Sequence, residues 1–260
     1  MGLLEAYHYY NYEVADLRTR DWMFLKEPFT LCFLSFAYLY FVLRCGPRYM
    51  KDKPPYTLKT FVQIYNVLQV IINFTFVYML CKAGWITDIW FYCIPFTYPN
   101  DPVAIQVATV MWVLVFDKLL EYVETIVFVL RKKQDQISFL HLYHHVSTLH
   151  VCWYLAKYFP ERMGSTFVIL NCGVHVLMYS YYFLSSCGDS MRRYVHKWKR
   201  YVTVVQLVQF CIMITYAVYH SVTNCKTSSV ATSVLCTDIV MNLFLFLNFY
   251  KNSYMKKKIK

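Results

Sequence analysis

Seven stretches of mostly apolar residues, long enough or nearly long enough to cross a bilayer, recur along the whole 260-residue chain. A transmembrane helix needs about 20 residues for a hydrocarbon core of about 30 Å. Because the connections are short, the sequence predicts an all-α, polytopic membrane protein with a single domain over residues 1–260. The predicted spans are Pro28–Leu43, Thr60–Cys81, Val103–Leu130, Ser138–Phe159, Ser165–Ser185, Tyr201–Val222 and Ser228–Tyr250. The first is the shortest, which leaves open a start before Pro28.

The charges are few but unevenly placed. Only 16% of residues are charged and 58% are apolar, which excludes a disordered chain. Of the 26 Lys and Arg residues, 18 lie in the four segments that directly follow the first, third, fifth and seventh spans. The positive-inside rule therefore predicts a lumenal N-terminal segment (residues 1–27) and a cytosolic basic tail (residues 251–260). The net charge of +11 is explained by this orientation, so no nucleic-acid partner is expected.

The last four residues place lysines at the third and fourth positions from the end, Lys258 and Lys257. This spacing matches a dilysine signal for retrieval to the endoplasmic reticulum. The alternative is a solvated basic tail beside anionic lipid. A multi-pass protein of the endoplasmic reticulum membrane is the prediction.

Ionisable residues within a membrane span suggest function, because they are expensive to bury in lipid. In the third span, Lys118, Glu121 and Glu124 lie on one helical face with Thr125. A purely structural reading pairs Lys118 with Glu121 at i,i+3, which would join helices together. That reading leaves Glu124 unexplained.

The fourth span carries His141, His144 and His145 at i, i+3 and i+4, so the three imidazoles share one face. A lone histidine is usually a core residue, but three within five positions of a span favour chemistry. Imidazoles can act as bases, nucleophiles or metal ligands. His150, further along, is interpreted as structural.

The fifth and sixth spans add weaker signals with helical spacing. The candidate residues there are Asn171, His175, Tyr179, Tyr182, Gln206 and Gln209. In all four spans, the polar residues fall between the cytosolic surface and the bilayer midplane. The sequence thus predicts one cavity with a basic cytosolic rim and an apolar deep half, a layout that suits a fatty acyl-CoA.

Four motifs in this order resemble the signature of the fatty acid elongase family. They are Lys118-x-x-Glu121-x-x-Glu124-Thr125, His141-x-x-His144-His145, Asn171-x-x-x-His175-x-x-Met178-Tyr179-x-Tyr181-Tyr182 and Thr203-x-x-Gln206-x-x-Gln209. Glu124 departs from the aspartate of many members but keeps the charge.

The resemblance implies condensation of an acyl-CoA with malonyl-CoA to a 3-oxoacyl-CoA, CO2 and CoA. It implies no metal or redox cofactor, and a helical barrel of spans two to seven around an acyl tunnel. Membrane lipid surrounds the chain, and the reductases and dehydratase of the elongation cycle are candidate partners. A homo-oligomer and the preferred acyl length and unsaturation stay open.

Motif position also implies roles. His144 is expected to be the acylated nucleophile, with His175 opposite it as a second imidazole. Four residues are expected to orient the imidazoles or to donate to developing negative charge: His141, His145, Asn171 and Gln209. Six are expected to shape the chamber or support the substrates: Lys118, Glu121, Glu124, Tyr179, Tyr182 and Gln206.

Three other functions are alternatives. A membrane di-iron desaturase or hydroxylase also uses His-x-x-His-His, but it needs several such boxes, and His8, His196 and His220 lie far from this one. A seven-span receptor lacks support, since the Asp-Arg-Tyr and Asn-Pro-x-x-Tyr motifs are missing and the buried charges would go unexplained. A purely lipid-binding scaffold is the remaining non-enzyme alternative, and an assay of malonyl-CoA-dependent CO2 release distinguishes it from an elongase.

The predicted topology singles out two of the ten cysteines. Cys93 and Cys225 fall in lumenal loops that would face an oxidising compartment, which predicts a disulfide between them. Cys81 and Cys236 are competing partners. The sequence has no Cys-x-x-Cys pair, so neither a zinc site nor a redox motif is indicated.

Overall fold

The computed structural model describes residues 2–84, 101–160, 162–223 and 229–255, and every regular element in these ranges is helical. The helices are α1 (Leu3–His8), α2 (Pro28–Tyr40), α3 (Gly46–Met50), α4 (Lys59–Lys82), α5 (Pro102–Leu130), α6 (Phe139–Tyr158), α7 (Arg162–Ser186), α8 (Asp189–His196), α9 (Lys199–Val222) and α10 (Ser229–Tyr250). Each predicted span corresponds to a helix. The all-α class is therefore confirmed for the described residues.

Two compact units make up the chain. The first comprises Met1–Pro55 and Ala83–Ser165, with α1, α2, α3, α5 and α6. The second comprises Tyr56–Lys82 and Thr166–Lys260, with α4, most of α7, and α8 to α10. The single domain remains a prediction.

Among the described residues, six helical segments are long and apolar enough to cross a membrane. They are Pro28–Met50, Lys59–Lys82, Pro102–Leu130, Gly164–Ser186, Lys199–Val222 and Ser229–Met255. The remaining predicted span, α6, has 20 residues and so has the length but not the hydropathy. Its four histidines lower that hydropathy, because imidazoles are polar. A multi-pass membrane protein with six candidate spans is thus established.

The first span begins at Pro28, so the structure has no earlier start, and it continues beyond Leu43 to Met50. A wider π-helical turn, Phe41–Cys45, joins α2 to α3. Pro47 explains this turn, because proline has no N–H and its ring collides with the carbonyl four residues earlier. Gly46 then lies against α5, where an added Cβ would be 2.6 Å from Val129 Cγ1.

The first unit is organised by α5 and α6. Asp101 caps α5 by accepting from the backbone N–H of Val103 at 3.3 Å. Ser138 caps α6 in the same way, through the N–H of His141 at 3.2 Å. These caps satisfy N–H groups that have no partner within the helix, and so fix where each helix begins. The buried face of α5 carries Asp117, Lys118, Glu121, Glu124 and Thr125 among apolar residues.

The second unit has its apolar core where α9 packs on α10. Phe210, Met213 and Ile239 form the buried centre. Partly buried neighbours, including Phe167 and Phe246, extend it, and the Phe210 and Phe246 rings lie 5.2 Å apart. The ring edges and faces supply attraction beyond burial alone.

A segment before the first span, residues 9–27, is fastened to the end of α6 by a buried lysine. Lys157 is fully buried, and its Nζ donates to the carbonyls of Leu25 (2.8 Å) and Lys26 (3.1 Å) and to Asn11 Oδ1. Thr19 Oγ1 donates to the Ala156 carbonyl at 2.8 Å. We call residues 9–27 the N-terminal strap.

Two indoles hold the same strap. The Nε1 of Trp112 on α5 donates to the Met23 carbonyl, and the Nε1 of Trp153 on α6 donates to the Phe24 carbonyl, both at 2.8 Å. These two backbone carbonyls lie outside the helices, and the indole N–H groups supply the hydrogen bonds that they need. The strap is a fixed part of the first unit.

Replacing Lys157→Met should loosen this attachment, since the substitution keeps an apolar stem and removes the ammonium. The Leu25 carbonyl and Asn11 Oδ1 would lose the ammonium as a donor, at an expected cost of about 2–4 kcal/mol, while the Lys26 carbonyl would still accept from Asn11 Nδ2. Thermal unfolding in detergent and protease cleavage within residues 9–27 measure the effect. The matched control is Lys51→Met at an exposed lysine. Equal melting temperatures for the two variants would contradict the assignment.

Candidate active site

The three imidazoles of α6 lie together on one face of the helix, and we call them the histidine cluster (His141, His144 and His145). The ring centroids of His141 and His145 are 4.3 Å apart, and those of His144 and His145 are 5.7 Å apart. His145 is buried, while His141 and His144 are half-buried. The predicted i, i+3, i+4 grouping is therefore present, with edge-to-face rings.

A buried charge pair on α5 faces this cluster. Lys118 Nζ donates to Glu121 Oε1 at 2.7 Å, and neither side chain is more than 2% exposed. The second carboxylate oxygen, Oε2, lies 3.3 Å from His145 Nδ1. The Glu121 carboxylate therefore contacts both the Lys118 ammonium and an imidazole of α6.

Glu124 occupies the next turn of α5 and approaches two of the histidines. One ligand atom from each of Glu124, His141 and His145 lies within 4.8 Å of the others. Two imidazoles and one carboxylate would suit a single zinc-like ion. Within the described ranges this is the one such grouping, and three ligands are too few for a di-iron centre.

Hydroxyl groups continue the site into the first span, which the sequence reasoning missed. Thr125 Oγ1 lies 2.8 Å from His141 Nε2, and Tyr38 of α2 donates to Thr125 Oγ1 at 2.9 Å. A separate pair of hydroxyls, Ser35 Oγ on α2 and the Tyr122 OH on α5, lies 2.9 Å apart and joins the two helices. The i,i+3 spacing of Ser35 and Tyr38 in an apolar span was the available signal.

In the second unit, His175 lies within a group of aromatic rings. It is buried, and its ring meets the fully buried Tyr179 edge to face at 5.7 Å. Tyr179 in turn contacts Tyr182 at 6.1 Å and Tyr65 of α4 at 6.0 Å. Asn171 lies one turn earlier on α7 and is half-buried.

Buried amides on α4 extend this second set, and the sequence reasoning did not assign them to it. Asn66, Gln69 and Asn73 are each at most 3% exposed. Gln69 Nε2 donates to the Tyr65 hydroxyl at 3.3 Å, and Asn73 Nδ2 donates to Gln69 Oε1 at 3.1 Å. Their three- and four-residue spacing was visible in the sequence, but amides often serve only to join membrane helices.

The predicted glutamines of α9 contact methionine sulfurs. Gln206 Nε2 lies 3.5 Å from Met178 Sδ on α7, and Gln209 Nε2 lies 3.7 Å from Met213 Sδ. Gln209 is buried and Gln206 is half-buried. Gln206 therefore joins α9 to the helix that carries His175.

The predicted site residues are divided between the two units. Those of the third and fourth spans form one group in the first unit, and those of the fifth and sixth spans belong to the second unit. Four predicted positions lie outside the described residues: Cys93, Cys225, Lys257 and Lys258. The competing cysteines, Cys81 and Cys236, are free thiols. His150 Nδ1 bonds the Val146 carbonyl at 2.9 Å, in keeping with a structural role.

Breaking the buried charge pair from one side should destabilise the protein strongly. Glu121→Gln leaves the Lys118 ammonium buried without its counter-charge, at a cost of about 3–5 kcal/mol. Adding Lys118→Met to Glu121→Gln removes that charge and should recover most of the lost stability. Melting temperatures of the two single variants and the double variant in detergent test this. If the stability loss of the double variant equals the sum of the losses of the two single variants, Lys118 and Glu121 are not coupled.

Comparisons with known proteins agree with the motifs. The model of the GNS1/SUR4 (ELO) family matches residues 23–260. A very long chain fatty acid elongase of Aedes aegypti is 32% identical over 99% of this chain and 72% of its own length. Very long chain fatty acid elongase 1 of Homo sapiens is 33% identical over 94% and 88%. Very long chain fatty acid elongase 4 of Mus musculus is 32% identical over 97% and 80%. The chain belongs to the ELO family.

Proposed function

We propose that this protein is the condensing enzyme of a fatty acid elongation cycle, a very-long-chain 3-oxoacyl-CoA synthase. It joins a long-chain acyl-CoA to malonyl-CoA and releases a 3-oxoacyl-CoA, CO2 and CoA. Family membership, together with relatives named as very long chain fatty acid elongases, carries this proposal. The buried histidine cluster beside the Lys118–Glu121 pair supplies groups suited to acyl transfer.

In the first half-reaction, a neutral imidazole nitrogen of His144 attacks the thioester carbonyl of the acyl-CoA. The new C–N bond replaces the C–S bond, and CoA leaves as a thiolate that takes up a proton. The product is an acyl-imidazole on His144. Splitting the condensation in this way replaces one difficult step with two easier ones.

In the second half-reaction, the bond from C2 of malonyl-CoA to its carboxylate breaks and CO2 leaves. The electron pair stays on C2 as an enolate, which attacks the acyl-imidazole carbonyl. The C–N bond then breaks, and the leaving imidazole nitrogen takes up a proton from water, which restores neutral His144. The atoms and electrons balance without an oxidant, a reductant or a metal, which fits the proposal that no cofactor takes part.

The neighbours of His144 have distinct proposed roles. His145 lies between His144 and the Glu121 carboxylate, so it can hold the cluster in register. Lys118 neutralises Glu121, so the carboxylate orients an imidazole without placing a net negative charge beside the enolate. Asn171, His175, Tyr179, Tyr182, Gln206 and Gln209 are proposed to serve the substrates and the enolate, as the family resemblance implies.

The proposed topology has seven spans, with α6 as the one that hydropathy alone does not indicate. Its polar face is covered by α5, since Glu121 and Thr125 both contact its histidines. A bilayer tolerates polar residues that face protein. We propose an endoplasmic reticulum location with a lumenal N-terminus, a cytosolic tail and retrieval through Lys257 and Lys258. The proposal also includes a barrel of helices around an acyl tunnel and a disulfide between Cys93 and Cys225. It further includes association with reductases, a dehydratase or a second copy of the chain.

Replacing His144→Ala should abolish malonyl-CoA-dependent CO2 release, since no other group would form the acyl intermediate. Incubating the wild type with acyl-CoA alone should add one acyl mass to the peptide that carries His144. The matched control is His150→Ala, which removes an imidazole outside the cluster on the same helix and should keep the activity.

Three results would overturn the proposal. Normal CO2 release by His144→Ala would remove the nucleophile assignment. A wild-type protein that binds acyl-CoA without releasing CO2 would be a lipid-binding scaffold. Stoichiometric metal whose chelation abolishes activity would give Glu124, His141 and His145 the role of ligands instead. A panel of acyl-CoAs in the same assay reads out the preferred chain length.

A further inference from the structure

We propose that Tyr38, on the first span, is a positioning residue for the histidine cluster and acts on His141 through Thr125. The inference rests on the proposed function. None of the four family motifs includes a residue of the first span, and the barrel that the resemblance implies begins with span two. The proposal therefore gives the first span a part in the chemistry.

The geometry consists of two hydrogen bonds in series. Tyr38 donates its hydroxyl to Thr125 Oγ1 at 2.9 Å, and Thr125 Oγ1 lies 2.8 Å from His141 Nε2. Tyr38 is 5% exposed and Thr125 is fully buried, so water does not compete for either bond. Hydrogen bonds in such surroundings are stronger than in water and hold their partners in place.

The direction of the first bond restricts the second. A threonine hydroxyl has one proton and two lone pairs. Since Tyr38 fills a lone pair of Thr125, the threonine proton is available to His141 Nε2. In the proposed arrangement, His141 accepts this proton at Nε2 and carries its own proton at Nδ1. The partner of one ring nitrogen sets the tautomer of the imidazole, so Tyr38 helps to fix which nitrogen of His141 is protonated.

His141 can transmit this choice to the rest of the cluster. Its ring centroid is 4.3 Å from that of His145, and the His145 ring is 5.7 Å from that of His144, the proposed nucleophile. A different tautomer or tilt of His141 would exchange a donor for an acceptor beside His145. The expected consequence is slower chemistry with little change in substrate binding.

A neighbouring tyrosine allows the effect of packing to be separated from that of the hydrogen bond. The Tyr38 and Tyr122 rings stack with centroids 3.9 Å apart and planes 10° apart, so both contribute similar apolar contact. The Tyr122 hydroxyl bonds Ser35 Oγ at 2.9 Å and takes no part in the path to His141. Loss of either hydroxyl leaves the stack intact, but only loss of the Tyr38 hydroxyl interrupts that path.

The test compares Tyr38→Phe with its matched control, Tyr122→Phe, in the full-length protein in detergent. Condensation is followed as malonyl-CoA-dependent CO2 release between pH 6 and pH 9. Tyr38→Phe should lower kcat about tenfold, the effect of losing about one hydrogen bond in the transition state, leave KM within about twofold, and displace the pH profile of kcat. Tyr122→Phe should match the wild type in all three, while both variants lose similar thermal stability.

A double variant tests the path itself. Thr125→Val should remove the link to His141, and adding Tyr38→Phe to it should lower kcat no further, because both changes break one chain. Thr125→Ser keeps the hydroxyl and should restore the wild-type pH profile. Additive losses, or equal effects of Tyr38→Phe and Tyr122→Phe, would overturn the proposal.

A chemical readout separates this inference from the proposed function. Diethyl pyrocarbonate acylates neutral imidazoles, and peptide mass spectrometry reports its rate at His141 with His150 as the internal reference. Tyr38→Phe should change the His141 rate and Tyr122→Phe should not. Were the wild type inactive in CO2 release, the proposed function would fall, yet this rate change would still support the positioning role. An active enzyme with unchanged His141 reactivity in Tyr38→Phe would overturn the positioning role alone.

Discussion

The architecture of the first unit depends on where an ammonium and a carboxylate can be buried within a membrane protein. Lys118 and Glu121 are almost completely shielded from solvent, and an isolated charge there would be expensive. Their 2.7 Å contact reduces that cost only if α5 keeps their helical spacing. The second oxygen of Glu121, Oε2, lies 3.3 Å from His145 Nδ1, and this contact holds His145 and with it the register of α6.

The histidines follow from that register. On a helix, residues at i, i+3 and i+4 share a face, so placing His145 against α5 also turns His141 toward Thr125. His144 stays half-buried next to them, a position open to a substrate yet held by its neighbours. The one predicted span that hydropathy does not identify, α6, is consequently the helix that needs protein, rather than lipid, along its polar side.

The sequence predicted the helices well, because long apolar runs separated by short basic segments allow few other structures. It also predicted the histidine cluster and the Lys118–Glu121 pair, since helical spacing determines which side chains share a face. It did not predict the π-helical turn before Pro47, which arises from a local collision. Tyr38 was also missed, because its i,i+3 spacing from Ser35 does not identify a partner on another helix. The buried amides of α4 were missed because amides at helical spacing often serve only to join membrane helices.

The N-terminal strap has a consequence for the order in which the chain is assembled. Asn11 and its partner Lys157 are separated by 146 positions, and Thr19 and Ala156 by 137. At about 5–20 residues per second, synthesis needs about 7–30 s after Asn11 is made before Lys157 exists. Throughout that interval the contacts of the strap with Trp153, Ala156 and Lys157 cannot form. Docking of the strap therefore waits until α6 has been synthesised, although the strap itself was made long before.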